Sequence, residues 1–308
     1  MMPEKMRMRL IISNASDGFT LVELIIAMII TSVLGLAVVT TYITQQRAAD
    51  TIGQVSQMQQ QLRGALYLME QDIRLAGYDP EQKDLFGIVD VRRYTITDEI
   101  TNPGLSADGS PSLALATDWD PVNPALSGNG VADDFKPTYR LFDENNDGVF
   151  ELIRDDDTTR GSLLAEGMEA IGFAYAYDFD NADPDGELDR NAAGNIIWAV
   201  DTNNDNLLDT NLDANGDGIL DLDDDTDTDF KITAADGAGL ANPVQVKYIR
   251  MVQIWLLARA RTASKDFNNN GQQFLVGDRV VPATAGGFND NFRRQLLIRT
   301  VQCRNAGL

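Results

Sequence analysis

The chain of 308 residues is 44% hydrophobic and 23% charged, which are the proportions of a folded globular protein. It has no histidine and one cysteine, which excludes histidine-based triads, histidine-ligated metals, thiolate zinc sites and intramolecular disulfides. The net charge of −22 is concentrated in residues 141–230, which contain 26 acidic and three basic residues, so no nucleic-acid partner is expected and cations are suitable partners.

The first predicted element is an apolar helix near the amino terminus. Residues 19–43 contain a single charge, Glu23, and no proline. Because a helix rises about 1.5 Å per residue and a bilayer core needs roughly 20 apolar residues, this segment is long enough to span a membrane. Lys5, Arg7 and Arg9 precede it, which predicts a cytoplasmic amino terminus and a single membrane pass.

The junction in front of this helix carries a specific motif. Gly18, Phe19, Thr20, Leu21 and Glu23, followed by the apolar run, resemble the class III signal of type IV prepilins and pseudopilins. The resemblance implies that prepilin peptidase removes residues 1–18 as a cytoplasmic leader and that Phe19 becomes the N-methylated first residue. It also implies that residues 19–43 lie in the inner membrane first, and later contact the major pilin and other minor pilins in a filament core.

The Glu23 carboxylate lies in an apolar membrane segment, where burying a charged group has a large free-energy cost, so a function is expected for it. In a bundle of staggered helices, the amino group of Phe19 on an incoming subunit is expected to pair with Glu23 of its neighbour. In a low-dielectric bundle such a pair is strong, and it would hold the axial register of the subunits. The alternative is a plain membrane anchor whose Glu23 reaches the interface.

Periodicity predicts that the helix continues as an amphipathic segment over residues 44–78. Apolar residues recur at helical spacing along one stripe that is expected to pack on the globular domain, and Gly77 and Pro80 end the pattern. The stripe consists of Ile52, Val55, Leu62, Leu66, Met69 and Ile73. The stretch LMEQDIRLAGYD at the end of this helix, and the stretch RRQLLIRTVQCRNAGL at the carboxyl end, are similar to those of PilW-type minor pilins.

Residues 79–308 are predicted to form a β-rich globular domain. Short β-branched or aromatic runs are separated by turn-rich polar stretches. The economical fold class is α+β, with the long amino-terminal helix packed on an antiparallel sheet, and the resemblance implies the same pilin fold. Strands are predicted within residues 85–97, 112–119, 138–143, 149–155, 171–180, 196–201, 244–260 and 295–302.

Four stretches of the acidic segment, at about residues 141–230, share the spacing of a calcium loop. Oxygen-bearing side chains occupy positions 1, 3, 5 and 9, and glycine or asparagine at position 6 permits a sharp turn. Hard oxygen ligands without histidine or cysteine favour Ca²⁺. The predicted ligands are Asp143, Asn145, Asp147 and Glu151; Asp183, Asp185 and Asp189; Asp201, Asn203, Asp205 and Asp209; and Asp213, Asn215, Asp217, Asp221 and Asp224.

These loops differ from EF-hands, because the glutamate at position 12 is missing and only Asp224 supplies a carboxylate there. Their spacing resembles dockerin-like or thrombospondin type 3-like repeats. In the second loop, Asn181 stands at position 1 and Pro184 intrudes, which weakens the pattern. The alternative for the whole segment is a solvated acidic linker.

The sequence predicts a structural protein and not an enzyme. It has no nucleophile elbow and no phosphate-binding glycine loop, and Cys303 is expected to be a buried thiol. The predicted function is a minor pilin of the type IV pilus tip or priming complex, at the inner membrane and then at the cell surface. It would support pilus assembly and adhesion, with Ca²⁺ stabilising its loops. Two alternatives stay open: a minor pseudopilin of a type II secretion system, and a membrane-tethered calcium-dependent adhesin.

Overall fold

A computed structural model describes residues 19–77, 87–93, 111–117, 137–143, 148–155, 161–180 and 184–303 of the chain. Within these ranges the chain forms one α-helix, α1 (Leu21–Leu75), and twelve β-strands. The strands are β1 (Gly87–Asp90), β2 (Leu113–Ala116), β3 (Thr138–Phe142), β4 (Phe150–Asp155), β5 (Ser162–Tyr177), β6 (Ala199–Val200), β7 (Leu207–Asn211), β8 (Gly239–Gln245), β9 (Ile249–Arg259), β10 (Phe274–Val276), β11 (Arg279–Val281) and β12 (Arg294–Gln302).

Helix α1 ends where its sequence predicts. Gly77 follows it with φ +78, a left-handed conformation that glycine adopts without the steric penalty of a Cβ. The boundary between two compact units of the chain falls inside this helix, between Ile52 and Gly53. The first part of α1 therefore belongs to one unit, and its second part belongs to the unit that contains the sheet.

The large sheet is antiparallel, and β5 is its central strand. The first half of β5 pairs with β4, which continues through β3 and β2 to β1. The second half pairs with β9, with Phe173 opposite Ile254, and β9 pairs in turn with β12. At Tyr175, β5 also pairs with β6, which leads through β7 to β8. The predicted α+β arrangement, a long helix on an antiparallel sheet, is confirmed.

One face of the sheet packs on the second part of α1. Met58, Leu62, Leu66, Met69 and Ile73 are buried against it, so the predicted stripe is correct from Leu62 onward. Met58 takes a place in the core that the sequence did not assign. Ile52 was wrongly included in the stripe, because 69% of it is exposed.

The opposite face of the sheet carries a second apolar core. Alternate residues of a strand point to opposite faces, so Ile254 and Leu256 of β9 join the helix side and Trp255 joins the other side. Leu212 and Ile232, both from the acidic segment, are fully buried in this second core. The acidic segment is therefore built into the fold, which contradicts the alternative of a solvated linker.

A polar contact fixes the helix on the sheet among these apolar residues. Tyr139 of β3 donates a hydrogen bond to Asp72 Oδ2 at 2.5 Å, and Arg154 Nε of β4 donates to the same oxygen at 2.7 Å. The side chains of Asp72 and Arg154 are only 11% and 23% exposed, so the pair is shielded from solvent. This contact fixes the rotation and the axial position of α1 on two strands.

We expect Asp72→Ala to lower the free energy of unfolding by about 3 kcal/mol, because it leaves a buried guanidinium and a buried hydroxyl without their acceptor. Glu70→Gln is the matched control on the same helix. Glu70 pairs with Arg74 and Arg299, which are about half exposed, so its loss should cost less than about 1 kcal/mol. Urea unfolding of the full chain in detergent, followed by tryptophan fluorescence, measures both values. Equal effects of the two substitutions would contradict the anchoring role of Asp72.

Candidate functional site

The amino-terminal end of α1 holds the residues predicted for processing and assembly. Gly18 lies outside the described residues, whereas Phe19 is 81% exposed just before the helix. The Glu23 backbone N–H donates to Thr20 Oγ1 at 3.2 Å, and Leu24 N–H donates to the Thr20 carbonyl, so Thr20 caps the helix. Glu23 thus lies in the first turn, where the helix dipole favours a carboxylate.

The helix that follows is long and apolar enough to cross a membrane, and none of its most apolar stretch is buried by protein. Its serine and threonine hydroxyl groups donate hydrogen bonds within the helix itself. Thr31, Ser32 and Thr41 each donate to the backbone carbonyl four residues earlier, at 2.7–2.9 Å. Because a lipid environment offers no other partner to these groups, the internal bonds suit a membrane-spanning segment.

The acidic segment contains three consecutive loops of twelve residues, with no spacer between them: 201–212, 213–224 and 225–236. Each begins with a buried aspartate, at Asp201, Asp213 and Asp225. In each loop, Oδ2 of this aspartate accepts the N–H of the residue at position 6, at 2.7–3.0 Å. The position-6 residues, Asn206, Gly218 and Phe230, all have φ between +66 and +86. The three loops therefore share one backbone turn.

Positions 3 and 5 of the three loops also have equivalent contacts. The position-5 N–H donates to the oxygen of position 3, and the position-7 N–H donates to the carboxylate of position 5, at 2.8–3.1 Å throughout. These bonds hold the side chains of both positions against the loop backbone, and all six residues are exposed to solvent. The residues are Asn203 and Asp205, Asn215 and Asp217, and Asp227 and Asp229.

A second carboxylate closes each loop by accepting the backbone N–H groups of positions 2 and 3. In the first loop this is Asp209, which binds Thr202 and Asn203. In the second it is Asp224, which binds Ala214, Asn215 and Asp221. In the third it is Asp236, which binds Thr226, Asp227 and Thr233. Asp209, Asp221 and Asp224 are predicted metal ligands. In the structure Asp209 and Asp224 accept backbone hydrogen bonds within their loops, and Asp221 caps a short 3₁₀-helix.

The loop predicted at Asn181 has a different first residue in the structure. The N–H of Gly186 donates to Oδ2 of Asp178. Asp178 therefore has the role that Asp213 has in its own loop, but it lies eight residues before the turn glycine, and Asp213 lies five residues before Gly218. Asp189 closes this loop by accepting the Phe179 N–H. Asp185 is placed as predicted in the loop, and Asp183 lies outside the described residues. Arg250 Nε lies 3.8 Å from Asp178, so part of the negative charge here has a partner within the protein.

The loop predicted at Asp143 is described only at its ends. Asp143 is buried, and its Oδ2 accepts the Gly148 N–H at 2.9 Å, as in the other loops. Glu151 lies in β4. The predicted ligands Asn145 and Asp147 lie outside the described residues.

Two acidic clusters of the described residues could bind a metal ion, because their carboxylate oxygens lie within 4.8 Å of one another. They are Asp178, Asp180 and Asp185, and Asp225, Asp227 and Asp229. The sequence pattern missed Asp178, Asp180 and the whole loop at Asp225. Phe230 stands where glycine or asparagine is expected, which concealed the third loop, although the twelve-residue period points to it.

Burial and mutual repulsion affect the carboxylates of these loops. Burial raises the pKa of Asp201 and of Asp224, although backbone N–H donors oppose the change, and the neighbouring charges of Asp205 and Asp213 respectively add to it. Burial also opposes ionisation of Asp236, but hydrogen bonds from Thr233 and Thr226 hold its pKa below the usual value. The loops thus keep several carboxylates close together where a positive charge would favour their ionised form.

Comparison with known proteins identifies the amino-terminal segment. A family model described as the prokaryotic N-terminal methylation motif matches residues 13–39, which include Gly18, Phe19 and Glu23. Among solved structures, the chain is similar to the type IV-like pilin TTHA1219 from Thermus thermophilus, with a TM-score of 0.35 and 11% identity, over 80% of this chain and 97% of that chain. A TM-score this low does not establish a common fold. No curated protein gave a significant match.

We expect Gly218→Ala to destabilise the protein more than Gly216→Ala. Both glycines have positive φ, so alanine costs about 1–2 kcal/mol at either position. Only at Gly218 would the added Cβ also lie 2.7–2.9 Å from the Asn195 side chain, which adds a packing cost of about 1 kcal/mol or more. Urea unfolding of the two variants of the full chain measures the difference. If the two costs are equal, the loop does not pack on Asn195 as described.

Proposed function

We propose that this chain is a minor pilin, a structural subunit of the type IV pilus tip or priming complex. The observation that carries the proposal is the methylation motif over residues 13–39, with Gly18 and Phe19 before an apolar helix and Glu23 in its first turn. In this role the chain supports pilus assembly, and its loops are available for adhesion at the cell surface. The work of such a subunit is structural and involves no catalysis.

The proposed pathway starts at the inner membrane. The apolar part of α1 spans the bilayer with the amino terminus in the cytoplasm, and prepilin peptidase cuts between Gly18 and Phe19. Phe19 is then N-methylated, and the helix passes from lipid into contact with the helices of the major pilin and other minor pilins. The apolar side chains that no protein covers in the single chain suit both surroundings.

In this proposal Glu23 guides assembly. A carboxylate in an apolar helix is expensive in lipid, and a charged amino group on a neighbouring helix offsets the cost. The new amino terminus at Phe19 supplies that charge one turn away from Glu23 along the helix. Pairing between subunits therefore favours a stagger of about one helical turn. The competing explanation is that Glu23 only stabilises the first turn of α1, where Thr20 caps the helix.

The acidic loops are proposed to bind Ca²⁺, which stabilises the globular part of the subunit. The support is the repeated arrangement of aspartate and asparagine oxygens around one turn, together with the converging carboxylates at Asp178 and Asp225. Ca²⁺ takes six to eight oxygen ligands in flexible geometry, which suits such loops. Because the loops also contribute Leu212 and Ile232 to the second core, ordering them stabilises the sheet.

Mass spectrometry of sheared surface filaments and of membranes tests the proposed identity. We expect an amino-terminal peptide that begins at methylated Phe19, and we expect it in the filament fraction. A chain that retains its leader and occurs only in membranes would contradict the proposal, and the tethered adhesin would then explain the data better. A processed chain that requires a secretion system, and not a pilus, for its extraction would favour the pseudopilin.

Substitution of Glu23 separates its two explanations. We expect Glu23→Gln to be cleaved normally but to lower incorporation into filaments about tenfold or more, because the charge pair is lost. Glu23→Asp keeps the negative charge, so it should retain a large part of the incorporation seen with the unaltered chain. Incorporation is measured as the ratio of filament-bound to membrane-bound chain. If Glu23→Gln is incorporated as efficiently as the unaltered chain, then the helix-capping explanation is sufficient.

Thermal unfolding of the full chain in detergent tests the Ca²⁺ part of the proposal. An ion that binds only the folded state stabilises it by about 2.7 kcal/mol at a concentration one hundred times its Kd. We therefore expect the melting temperature to rise by several degrees on addition of millimolar Ca²⁺ and to fall again with a chelator. Mg²⁺ serves as the control and should have a smaller effect, because it requires a stricter octahedral geometry. An unchanged melting temperature would refute this part of the proposal.

A further inference from the structure

The middle loop, residues 213–224, contains a buried polar atom that the protein leaves without a partner. Asp213 is only 3% exposed, and Oδ2 of its carboxylate accepts the N–H of Gly218 at 3.0 Å. Among the described residues, no hydrogen-bond donor reaches the other oxygen, Oδ1. A buried acceptor without a partner destabilises the folded state, and a charged one does so more strongly, so a native structure keeps one only with a ligand or other compensation.

The equivalent aspartates of the flanking loops differ at this atom. Oδ1 of Asp201 accepts the N–H of Asn204 at 2.6 Å, and Oδ1 of Asp225 accepts the N–H of Asp229 at 3.1 Å. A cation in either flanking loop must share an oxygen that already holds a backbone hydrogen bond. In the middle loop the oxygen is open and fixed in place. A cation at this oxygen displaces no backbone hydrogen bond, so less must be rearranged there when the ion binds.

The surroundings of Asp213 suit a hard divalent cation. Asn215 and Asp217 are held by backbone N–H groups in the same loop, and the closing carboxylate Asp224 accepts the N–H groups of the two residues that follow Asp213, Ala214 and Asn215. The 36 residues from Asp201 to Asp236 contain twelve aspartates and one lysine, a net charge of −11. A neutral or anionic ligand would not reduce this negative charge, whereas three divalent cations would bring the net charge of residues 201–236 to −5.

The three loops are also mechanically connected. Asp224 closes the middle loop with both of its oxygens, and the next residue, Asp225, opens the third loop by accepting the N–H groups of Asp229 and Phe230. On the other side, the Asn211 side chain donates to the Asp213 carbonyl and accepts the Asp213 N–H. Fixing the middle loop therefore fixes the end of the first loop and the beginning of the third.

We propose that residues 201–236 form one linked array of three cation sites, in which the loop at Asp213 binds Ca²⁺ first and thereby orders the loops at Asp201 and Asp225. The array rests on the Ca²⁺ part of the proposed function and specifies its location and order. The third site has Asp225, Asp227 and Asp229 as its side-chain ligands. It binds its ion tightly only when the middle loop is ordered. The loops at Asp143 and Asp178 lie outside the array.

Hydrogen exchange of the full chain in detergent, measured by mass spectrometry during a Ca²⁺ titration, tests the array. Peptides that cover residues 201–212, 213–224 and 225–236 report the three loops separately. For the unaltered chain we expect exchange in all three to slow together, at one half-saturating concentration. Ion counts by plasma mass spectrometry should reach at least three Ca²⁺ per chain.

Two substitutions distinguish coupled loops from independent ones. Asp213→Asn should raise the half-saturating Ca²⁺ concentration at least tenfold for all three peptides. Asp225→Asn should raise it most for residues 225–236 and by a smaller factor for the other two peptides, because coupling between sites is reciprocal. Asp266→Asn is the matched control, because it makes the same change in another asparagine-rich turn that is not part of the array. It should leave all three titrations unaltered. Slow exchange of β9 and β12 verifies that each variant is folded, and Asp217→Asn, at an exposed position, replaces Asp213→Asn if that variant does not fold.

Three results would overturn the proposal, and they differ in what else they affect. If Asp213→Asn alters only its own peptide, the loops are independent and no linked array exists. If it alters none while the unaltered chain responds to Ca²⁺, the ions bind elsewhere and the wider Ca²⁺ proposal survives. If the unaltered chain does not respond to Ca²⁺ at all, both fail, and a water molecule is the simplest partner for Asp213 Oδ1. The processing of Phe19 and the role of Glu23 are independent of all three results.

Discussion

The docking of α1 on the sheet is the contact on which the globular part depends. The apolar stripe from Met58 to Ile73 supplies one wall of the core, and burial of apolar surface is the main favourable contribution. Apolar packing alone tolerates sliding and rotation, whereas Asp72 accepts hydrogen bonds from Tyr139 and Arg154 on two different strands. A helix fixed in this way carries both the membrane-capable segment and a wall of the core in one continuous element.

The second constraint is the density of negative charge on the other side of the sheet. The acidic loops do not hang free, because Leu212 and Ile232 are buried beside Trp255 in the second core. Their aspartates are consequently held near one another, and repulsion between them opposes the compact state. Backbone N–H groups offset part of this repulsion by donating to Asp209, Asp224 and Asp236. Bound cations would offset the rest of the repulsion between these aspartates. The stability of the fold and the proposed Ca²⁺ sites therefore depend on each other.

The two candidate regions relate to function in different ways. At the amino terminus the chemistry is local: Phe19, Glu23 and the apolar run are neighbours in sequence, and a motif model recognises them without any tertiary structure. In the acidic segment the chemistry depends on how turns bring oxygens together. Asp178 replaces the expected Asn181 because three extra residues are accommodated before Gly186, and no spacing rule foresees such an insertion. The loop at Asp225 was missed because Phe230 adopts φ +70, a conformation that the sequence pattern reserves for glycine or asparagine.

Local periodicity and composition are enough to predict several features of this chain. These are the extent of α1, its change from an apolar to an amphipathic segment, the antiparallel strands β3, β4, β9 and β12, and the repeated Asp-x-Asn-x-Asp turns. The tertiary structure alone decided what depends on distant residues. It lengthened β5 to sixteen residues by pairing it with both β4 and β9, and it placed β7 within an acidic stretch that reads as loop, because Leu208 is buried there. Among the described residues it also left Oδ1 of Asp213 buried without a donor, since burial and pairing are properties of the packed chain and not of any short stretch of sequence.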